Sequence, residues 1–545
     1  MMSKDIFSVD ISTIEQYGVD KWLKDFYWPV SDDDFNKLYE DIRHCFTAEL
    51  KRHSDTVQTL AGVVYEKKFE FANILHALKV IRCTEDRGEK IIYSDRTWWY
   101  RDIIEGNRIT SRGSSLEAPR GGIKKKIKSI ASASLKSLRY NGIFRKYLNA
   151  PRREEAITVL DSVNDLMEQY IRKIGAPIRF MAIHDWMPKE GFESIPGELR
   201  REIEEFSRSI SDELFLIASR HGMTLNKGHI DNLRSLLEQS MTRAAVISHF
   251  MKNKLNSDGR KIRLLFSGVG NPVARALGAL VRQNGGTVTA FWHAYDVSFL
   301  NSPISLMSFS DLFFADELIT YTKKGALLYE QVKRNYPDYM PYDLPIRAVE
   351  GGKNFLLPQK NSGQKLPKNN RRIMIIGYPH NQWRKALVTG GFSLTNLDLE
   401  LRLVGVLGRA GYEVLYKAHP CSADKVEGIF KSKAKVIKGY FSDSYEMADT
   451  YLFPSVATTS FITALGTNKP IIALDLSFKS FEPFREPMEL LKKRCSIVGT
   501  KTDERNRVIF DEKGLLDALA KKPEKPNNEF VETYMFPERT EKAVI

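Results

Sequence analysis

Hydrophobic positions along the chain follow two kinds of pattern. The first 170 or so residues read mostly as helices, for example Asp34–Lys51 and Lys67–Arg82, with one strand-like interruption at Lys90–Tyr93. From about residue 177 the pattern changes to short apolar, β-branched or aromatic runs separated by helical stretches. Strands that alternate with helices indicate parallel sheets, so the pattern predicts an α/β protein with a mainly helical N-terminal region.

The strand-like runs form two series. The first lies at 178–183, 262–268, 287–293 and 311–321, and the second at 371–377, 412–420, 435–440, 449–454 and 469–475. Between them, residues 351–370 are rich in Gly, Pro, Lys and Asn and lack periodicity, which is typical of a linker. We therefore expect a helical region over 1–176, a Rossmann-like domain over 177–350, the linker over 351–370, and a second Rossmann-like domain over 371–545. Such domains bind ligands outside the carboxyl ends of their strands, which predicts a site in the cleft between them.

Length and composition narrow the class of protein. A chain of 545 residues exceeds what one hydrophobic core usually organises, and 42% hydrophobic with 28% charged residues is ordinary for a soluble protein. The four cysteines lie far apart without a CxxC pair, which argues against a disulfide framework or a thiolate zinc site. The opening MMSKDIFSVDIS lacks a signal-peptide profile, and no apolar run approaches the roughly 20 residues that span a bilayer. These features predict a cytoplasmic location.

The positive charge is concentrated in one segment. Residues 120–153 contain eleven basic and no acidic residues, which leaves about +3 of the net charge of +14 for the rest of the chain. Within it Ile127, Ala131, Leu135 and Leu138 fall on one helical face, the composition of an interfacial helix attracted to anionic lipid. The segment therefore predicts peripheral contact with a membrane. A solvated basic helix or loop is the plain alternative, and a nucleic-acid contact is less favoured.

The second series contains two groups of residues suited to a phosphate. One strand run ends in Lys417, Ala418, His419 and Pro420, so the imidazole can donate to a phosphate oxygen while proline fixes the turn. The alternative for this group is a polar strand cap. After the strand 451–454, the hydroxyls of four residues open the helix 461–465, namely Ser455, Thr458, Thr459 and Ser460. Hydroxyls and N–H groups at a helix N-terminus can hold a phosphate, whereas ordinary capping needs only one hydroxyl.

The order of these motifs resembles a known enzyme group. AHP after a strand, the string ADTYLFPSVATTSFITALGTNKPIIALD some thirty residues later, and Trp292-His293 before them resemble GT-B glycosyltransferases of bacterial surface polysaccharides. The similar members are sialyl- and polysialyltransferases, capsule Kdo transferases and, more distantly, CDP-glycerol glycerophosphotransferases. The resemblance covers about 177–500 and is strongest over 412–475. It implies a GT-B fold, with two Rossmann-like domains facing a central cleft.

The resemblance also implies roles for individual residues. The nucleotide phosphate of a CMP-sugar or CDP-alcohol would be held by the two motifs, at His419, Pro420, Thr458, Thr459 and Ser460, with Lys417 and Ser455 beside them. Gly377 and His380 follow the first strand of the second domain, where GT-B loops commonly touch the donor. A plain β-turn is the alternative for these two residues.

Glycosyl transfer needs a group that activates the nucleophile. Asp185 follows the strand 178–183, while His293 and Asp296 follow the strand 287–292, so all three belong at the cleft edge of the first domain. We expect one of them to be the base or nucleophile. A helix cap for Asp185 and a buried histidine for His293 are the structural alternatives.

Together these features predict a nucleotide-sugar-dependent glycosyltransferase. The expected reaction moves an ulosonic acid, Kdo or a sialic-acid relative, from a CMP-activated donor to a glycan or lipid-linked glycan of the lipopolysaccharide or capsule type, at the inner face of the cytoplasmic membrane. We find no HExxH, cysteine cluster or convincing DxD string, so neither a metal nor a cofactor is expected. The alternatives are a CDP-glycerol-type or NDP-sugar transferase, and a non-catalytic adaptor that binds membrane or nucleic acid.

Overall fold

The computed structural model describes most of the chain in separate ranges. These are 6–94, 98–109, 157–160, 165–174, 178–181, 195–256, 262–267, 272–292, 299–301, 314–337, 343–349, 366–367, 370–380, 392–475 and 484–535. Within them the predicted alternation of strands and helices forms two parallel sheets of six strands each.

The N-terminal region is mainly helical, as the sequence predicts. Its elements are β1 (Ile6–Ser8), α1 (Ile11–Tyr17), α2 (Val19–Asp25), α3 (Asp32–Leu50), α4 (Asp55–Val63), α5 (Lys67–Asp86), β2 (Lys90–Ile92) and α6 (Trp98–Ile104). α3 begins where the Ser31 hydroxyl accepts from the N–H of Asp34 at 3.1 Å, and three aspartates in its first turn favour the positive end of the helix. β1 and β2 pair in parallel.

The first large sheet contains β3 (Ile157–Leu160), β4 (Ile178–Met181), β5 (Arg263–Ser267), β6 (Thr287–Phe291), β7 (Glu317–Thr320) and β8 (Ile346–Ala348). Its helices are α7 (Asp165–Ile174), α8 (Gly197–Arg220), α9 (Lys227–Asn256), α10 (Pro272–Gln283) and α11 (Lys323–Asn335). The strands lie in the order β4-β3-β5-β6-β7-β8, all parallel. β3 is the second strand of this order and pairs with both β4 and β5, so the sheet starts in the chain twenty residues before the boundary predicted at 177.

The second large sheet contains β9 (Arg372–Ile376), β10 (Glu413–Lys417), β11 (Lys435–Ile437), β12 (Thr450–Phe453), β13 (Ile471–Leu474) and β14 (Ser496–Val498). They lie in the parallel order β11-β10-β9-β12-β13-β14. The domain also contains the hairpin β15 (Thr500–Thr502) and β16 (Val508–Phe510), two short 3-10 helices (Phe441–Asp443 and Tyr445–Met447), and the helices α12 (Ser393–Arg409), α13 (Ala423–Phe430), α14 (Thr459–Leu465), α15 (Arg485–Arg494), α16 (Glu512–Ala520) and α17 (Glu529–Tyr534).

The helical N-terminal region packs against both α/β domains. On the first domain, Arg275 of α10 donates from Nε to the Val63 carbonyl at 2.8 Å. On the second, the His76 ring stacks on Phe392 with their centroids 4.5 Å apart. These contacts belong to one hydrophobic core that runs from the N-terminal helices into both sheets. The region therefore joins the two domains rather than extending from one of them.

The two α/β domains are also linked at the end of the chain. Phe299, which follows the first sheet's β6, packs edge-on against Phe530 of α17 at 5.6 Å. The Thr322 hydroxyl, at the start of α11, donates to the Tyr534 carbonyl at 3.1 Å. The predicted fold class, two Rossmann-like domains of the GT-B kind with a helical N-terminal region, is confirmed. No helix in the described part of the chain combines the length and apolar character needed to cross a membrane.

Candidate functional site

Strand order in the second domain marks a binding crevice. Counted along the chain from β9, the order of the sheet is 3-2-1-4-5-6, as in dinucleotide-binding folds. Successive strands are added to one side of β9 up to β11 and to its other side from β12 on, so the strand order switches between β9 and β12. Ligands of such folds bind outside the carboxyl ends of the strands at that switch point. The two loops that flank this switch point begin at Gly377 and at Pro454, and His419 follows the neighbouring strand β10. Three of the predicted motifs therefore lie at one edge of one sheet.

The hydroxyls before α14 have different tasks. Thr458 caps the helix, since its Oγ1 accepts from the N–H of Phe461 at 3.1 Å, and Ser455 Oγ accepts from the N–H of Ala457 at 3.3 Å. The exposed Thr459 and the half-buried Ser460 make no hydrogen bond through their hydroxyls or backbone N–H groups within the described residues. These four donors stand at the positive end of the helix, where an anion is stabilised.

The turn after β10 presents the imidazole of His419. The His419 carbonyl accepts from the N–H of Ser422 at 2.9 Å, which closes a turn with Pro420 at the position that favours proline. His419 is half-buried and Pro420 is exposed. Nδ1 of the ring lies 3.3 Å from the N–H of Cys421 and 3.0 Å from its Sγ. The turn thus fixes the ring at the strand end, as the proline in the motif predicts.

Lys417 points to backbone carbonyls at the same edge. Its ammonium donates to the carbonyls of Ala418 at 2.9 Å and Gly439 at 2.6 Å. Burial lowers the pKa of Lys417, and the nearby Asp443 carboxylate opposes that shift. The lysine therefore connects the end of β10 to the turn after β11. Its ammonium stabilises this edge of the sheet and does not face the crevice.

The loop after β9 is held by a buried carboxylate. Glu400 of α12 accepts from the N–H of Tyr378 at 2.6 Å, from the Tyr416 hydroxyl at 2.7 Å and from Nε2 of His380 at 2.8 Å. Burial and the Glu400 charge raise the pKa of Tyr416 well above its ordinary value. Gly377 packs so closely that a Cβ there would overlap the Tyr416 hydroxyl.

The structure gives His380 a different environment from the donor-contacting position that the sequence predicts. Its ring is buried, with Nε2 on Glu400 and Nδ1 3.2 Å from the Ser393 hydroxyl. An enclosed ring of this kind supports the loop and has no surface for the donor to touch. Gly377 continues the pairing with β10, since its N–H donates to the Lys417 carbonyl at 2.9 Å, and its small size is what lets the loop lie against Tyr416.

Two residues at this edge were not predicted from the sequence. Tyr440 follows β11 and is 70% exposed, between Gly439 at a φ of 87° and Phe441, which is buried in the core. The sequence feature that could have indicated Tyr440 is the glycine followed by an aromatic residue at the end of the run 435–440. Glu400 carries no signal, because a glutamate inside an amphipathic helix reads as an exposed residue.

The expected catalytic residues Asp185, His293 and Asp296 lie outside the described residues, as does the basic segment 120–153. On either side of 293–298, Trp292 is buried at the end of β6 and Phe299 is buried against the second domain. In the described ranges, no group of three or more His, Cys, Asp or Glu side chains could hold a metal ion. The absence of a metal stays a prediction.

Comparison with known proteins gives structural neighbours alone. No family model matches the sequence, and no curated protein matches it. Among solved structures, UDP-GlcNAc 2-epimerase of Methanocaldococcus jannaschii, in complex with UDP-GlcNAc and UDP, is 12% identical with a TM-score of 0.37, over 69% of this chain and 95% of that one. MurG of Acinetobacter baumannii is 9% identical with a TM-score of 0.31, over 64% and 86%. Similarity this low supports no conclusion about the activity of this chain.

Proposed function

We propose that the protein is a nucleotide-sugar-dependent glycosyltransferase whose second domain holds the phosphate of the donor. The observation that carries this proposal is the set of hydroxyl and N–H donors on Thr459 and Ser460 at the switch point. These donors have no hydrogen-bond acceptor among the described residues, and they lie at the same carboxyl edge as His419. β10 and β12 flank β9, so the two groups start from strands about 10 Å apart. A separation of that size leaves room for a phosphate between one side chain from each strand end.

The exposed Tyr440 ring supports a nucleotide rather than a bare phosphate. It protrudes from the same carboxyl edge, one strand beyond His419. Its backbone is held on both sides, since Lys417 binds the carbonyl of Gly439 and Phe441 is anchored in the core. An exposed aromatic ring on an anchored backbone offers a stacking face for a base. We assign the nucleobase to Tyr440, with the phosphate towards His419 and α14.

The chemistry of transfer follows from these roles. The acceptor hydroxyl loses its proton to a base while its oxygen forms a bond to the anomeric carbon, and the bond from that carbon to the phosphate oxygen breaks. The nucleotide leaves with the electron pair, and the donors of His419, Thr459 and Ser460 stabilise its charge. The base would be one of Asp185, His293 and Asp296, which lie in the chain after strands of the first domain.

The motif resemblance is the basis for proposing a specific donor and acceptor. The AHP string and the hydroxyls before α14 resemble transferases that use CMP-sugars, so we propose CMP-linked ulosonic acid as the donor and a surface glycan or lipid-linked glycan as the acceptor. The basic segment 120–153 would hold the enzyme on an anionic membrane surface, at the cytoplasmic face where such acceptors are built. No metal or other cofactor enters this proposal.

Nucleotide binding tests the proposal. We expect CMP to raise the melting temperature of the protein more than CDP, UDP or GDP do, because ligands that bind the folded state stabilise it. His419→Ala should abolish the CMP shift, whereas His249→Ala, at an exposed histidine of α9, should retain it. Stabilisation by UDP or GDP and none by CMP would replace the CMP donor by an NDP-sugar.

Tyr440 provides a second test. Stacking on an aromatic ring contributes about 1–3 kcal/mol per base, so Tyr440→Ala should weaken CMP at least several-fold while Tyr440→Phe retains it. Since the side chain is 70% exposed, neither change should alter folding stability. If no nucleotide binds and only deletion of 120–153 abolishes activity in cells, the adaptor alternative is correct.

A further inference from the structure

Cys421 lies next to the imidazole of His419, the residue proposed to bind the phosphate. It follows Pro420 in the turn after β10, and its backbone N–H lies 3.3 Å from Nδ1 of His419. Its Sγ lies 3.0 Å from the same nitrogen. Two groups of one residue therefore face a single ring nitrogen, in a turn closed by the bond from the N–H of Ser422 to the His419 carbonyl.

The backbone contact decides which ring nitrogen carries the proton. A backbone N–H can only donate, so the nitrogen that it faces has to offer a lone pair. A neutral imidazole has one lone pair and one N–H, and a lone pair on Nδ1 places the proton on Nε2. The thiol S–H is a weak donor that can share the same lone pair.

We propose that Cys421 is a positioning residue for His419, because by donating to Nδ1 it keeps the proton on Nε2 and makes the imidazole a hydrogen-bond donor to a phosphate oxygen. This inference rests on the proposed function, since it needs His419 to face the phosphate. The opposite tautomer would present a lone pair to an oxygen that is itself an acceptor, and the contact would be repulsive. The AHP motif therefore also needs a hydrogen-bond donor at the residue that follows it, Cys421.

The thiol can be reached by a reagent. Cys421 is exposed, whereas Cys45 and Cys83 are half-buried and Cys495 is buried. The competing arrangement is an ion pair in which Nδ1 donates to a thiolate. In that pair Nδ1 would carry a proton and could not accept from the N–H of Cys421.

The tautomer can be observed directly. In protein with ¹⁵N-labelled histidine, a long-range ¹H–¹⁵N spectrum at pH 7.5 separates the two neutral tautomers and the imidazolium, and loss of the signal in His419→Ala assigns it. We expect the Nε2–H tautomer in the wild-type protein and in Cys421→Ser. An Nδ1–H tautomer, or an imidazolium that becomes neutral in Cys421→Ala, would overturn the proposal in favour of the ion pair.

Binding of CMP tests whether the contact matters to the site. Cys421→Ala keeps the backbone N–H on Nδ1 and removes only the thiol contact. The tautomer should therefore stay, while loss of the thiol's hydrogen bond should weaken CMP about two- to threefold, and serine, which retains a side-chain donor, should restore the affinity. Methyl methanethiosulfonate provides a reversible block: the thiolate attacks its sulfur, an S–S bond forms and methanesulfinate leaves. We expect at least tenfold weaker CMP binding after this reaction, protection of the thiol by CMP, and no effect on Cys421→Ser.

The two proposals fail in different ways. Unchanged CMP affinity in His419→Ala overturns the phosphate site itself. A lowered affinity in His419→Ala, together with wild-type affinity in Cys421→Ala and in the methylthiolated protein, overturns the role of the Cys421 thiol, and an Nδ1–H tautomer in the wild-type protein overturns the role of its backbone N–H.

Discussion

The Glu400 carboxylate lies 2.8 Å from Nε2 of His380, and both side chains are fully buried. The same carboxylate accepts from Tyr416 of β10 and from the backbone of Tyr378. One side chain of α12 therefore fixes the loop after β9 to the strand that leads to His419. The loop at the switch point is positioned by a polar network, which has to be fully satisfied because it is shielded from water.

Glu400→Gln should lower the free energy of unfolding by about 1–3 kcal/mol, since an amide replaces one of two acceptor oxygens by a donor and leaves a buried N–H or O–H unpaired. Urea denaturation measures the change. Glu413→Gln, at an exposed position of β10, is the matched control and should stay within about 0.5 kcal/mol of the wild type. Equal stabilities of the two variants would show that the network is dispensable.

Gly377→Ala should destabilise the protein by about 1–3 kcal/mol, because the added Cβ would overlap the Tyr416 ring and hydroxyl and force the loop to move. Gly408→Ala, near the end of α12, meets no atom within 4 Å and should be neutral or up to about 1 kcal/mol stabilising. Denaturation of both variants checks the contrast. A neutral Gly377→Ala would contradict the close approach.

Capping and ligand binding should separate at α14. Thr458→Ala removes the hydroxyl that caps the helix and should cost about 1 kcal/mol of stability. The double change Thr459→Ala and Ser460→Ala removes hydroxyls without a described partner, so it should leave stability nearly unchanged and weaken CMP. Thr502→Ala, an exposed threonine of β15, is the control for both measurements. A double variant that binds CMP like the wild type would remove these hydroxyls from the site.

Lys68 should make stability depend on pH. The side chain is 5% exposed, its ammonium lies 4.1 Å from the centre of the Tyr65 ring, and burial lowers its pKa to about 7, helped by the Arg43 charge. Unfolding restores a pKa near 10.4. Between these values the unfolded chain binds more protons, so stability rises with pH, by up to about 1.4 kcal/mol per unit.

The measurement is urea denaturation from pH 7 to 9.5 on the wild type and on Lys68→Met. The difference in unfolding free energy between the two should shift in favour of the wild type as the pH increases, because methionine has no proton to lose. Parallel pH profiles would contradict a neutral Lys68 in the folded protein.

Patterns along the chain were enough to predict nine of the twelve strands of the two sheets and the motifs at their edge, whereas β3, β8 and β14 were not predicted. Strands such as β9 and β12 appear as short apolar runs because both faces of a parallel sheet are buried, and this is a local property of the sequence. A residue directly after such a run lies at the carboxyl edge whatever the rest of the fold does. The positions of His419 and Thr458 at the edge therefore follow from the sequence alone.

Tertiary structure alone decided which of those residues face the crevice. In the sequence His380 and Tyr440 occupy similar positions, each a few residues after a strand. In the structure Glu400 of α12 binds and buries His380, whereas Tyr440 stays exposed. The N-terminal helices likewise show only that they are amphipathic, and contacts such as His76 on Phe392 decide that they join both domains. Burial and hydrogen-bond partners depend on segments that are distant in the chain, and periodicity carries no information about which distant segments meet.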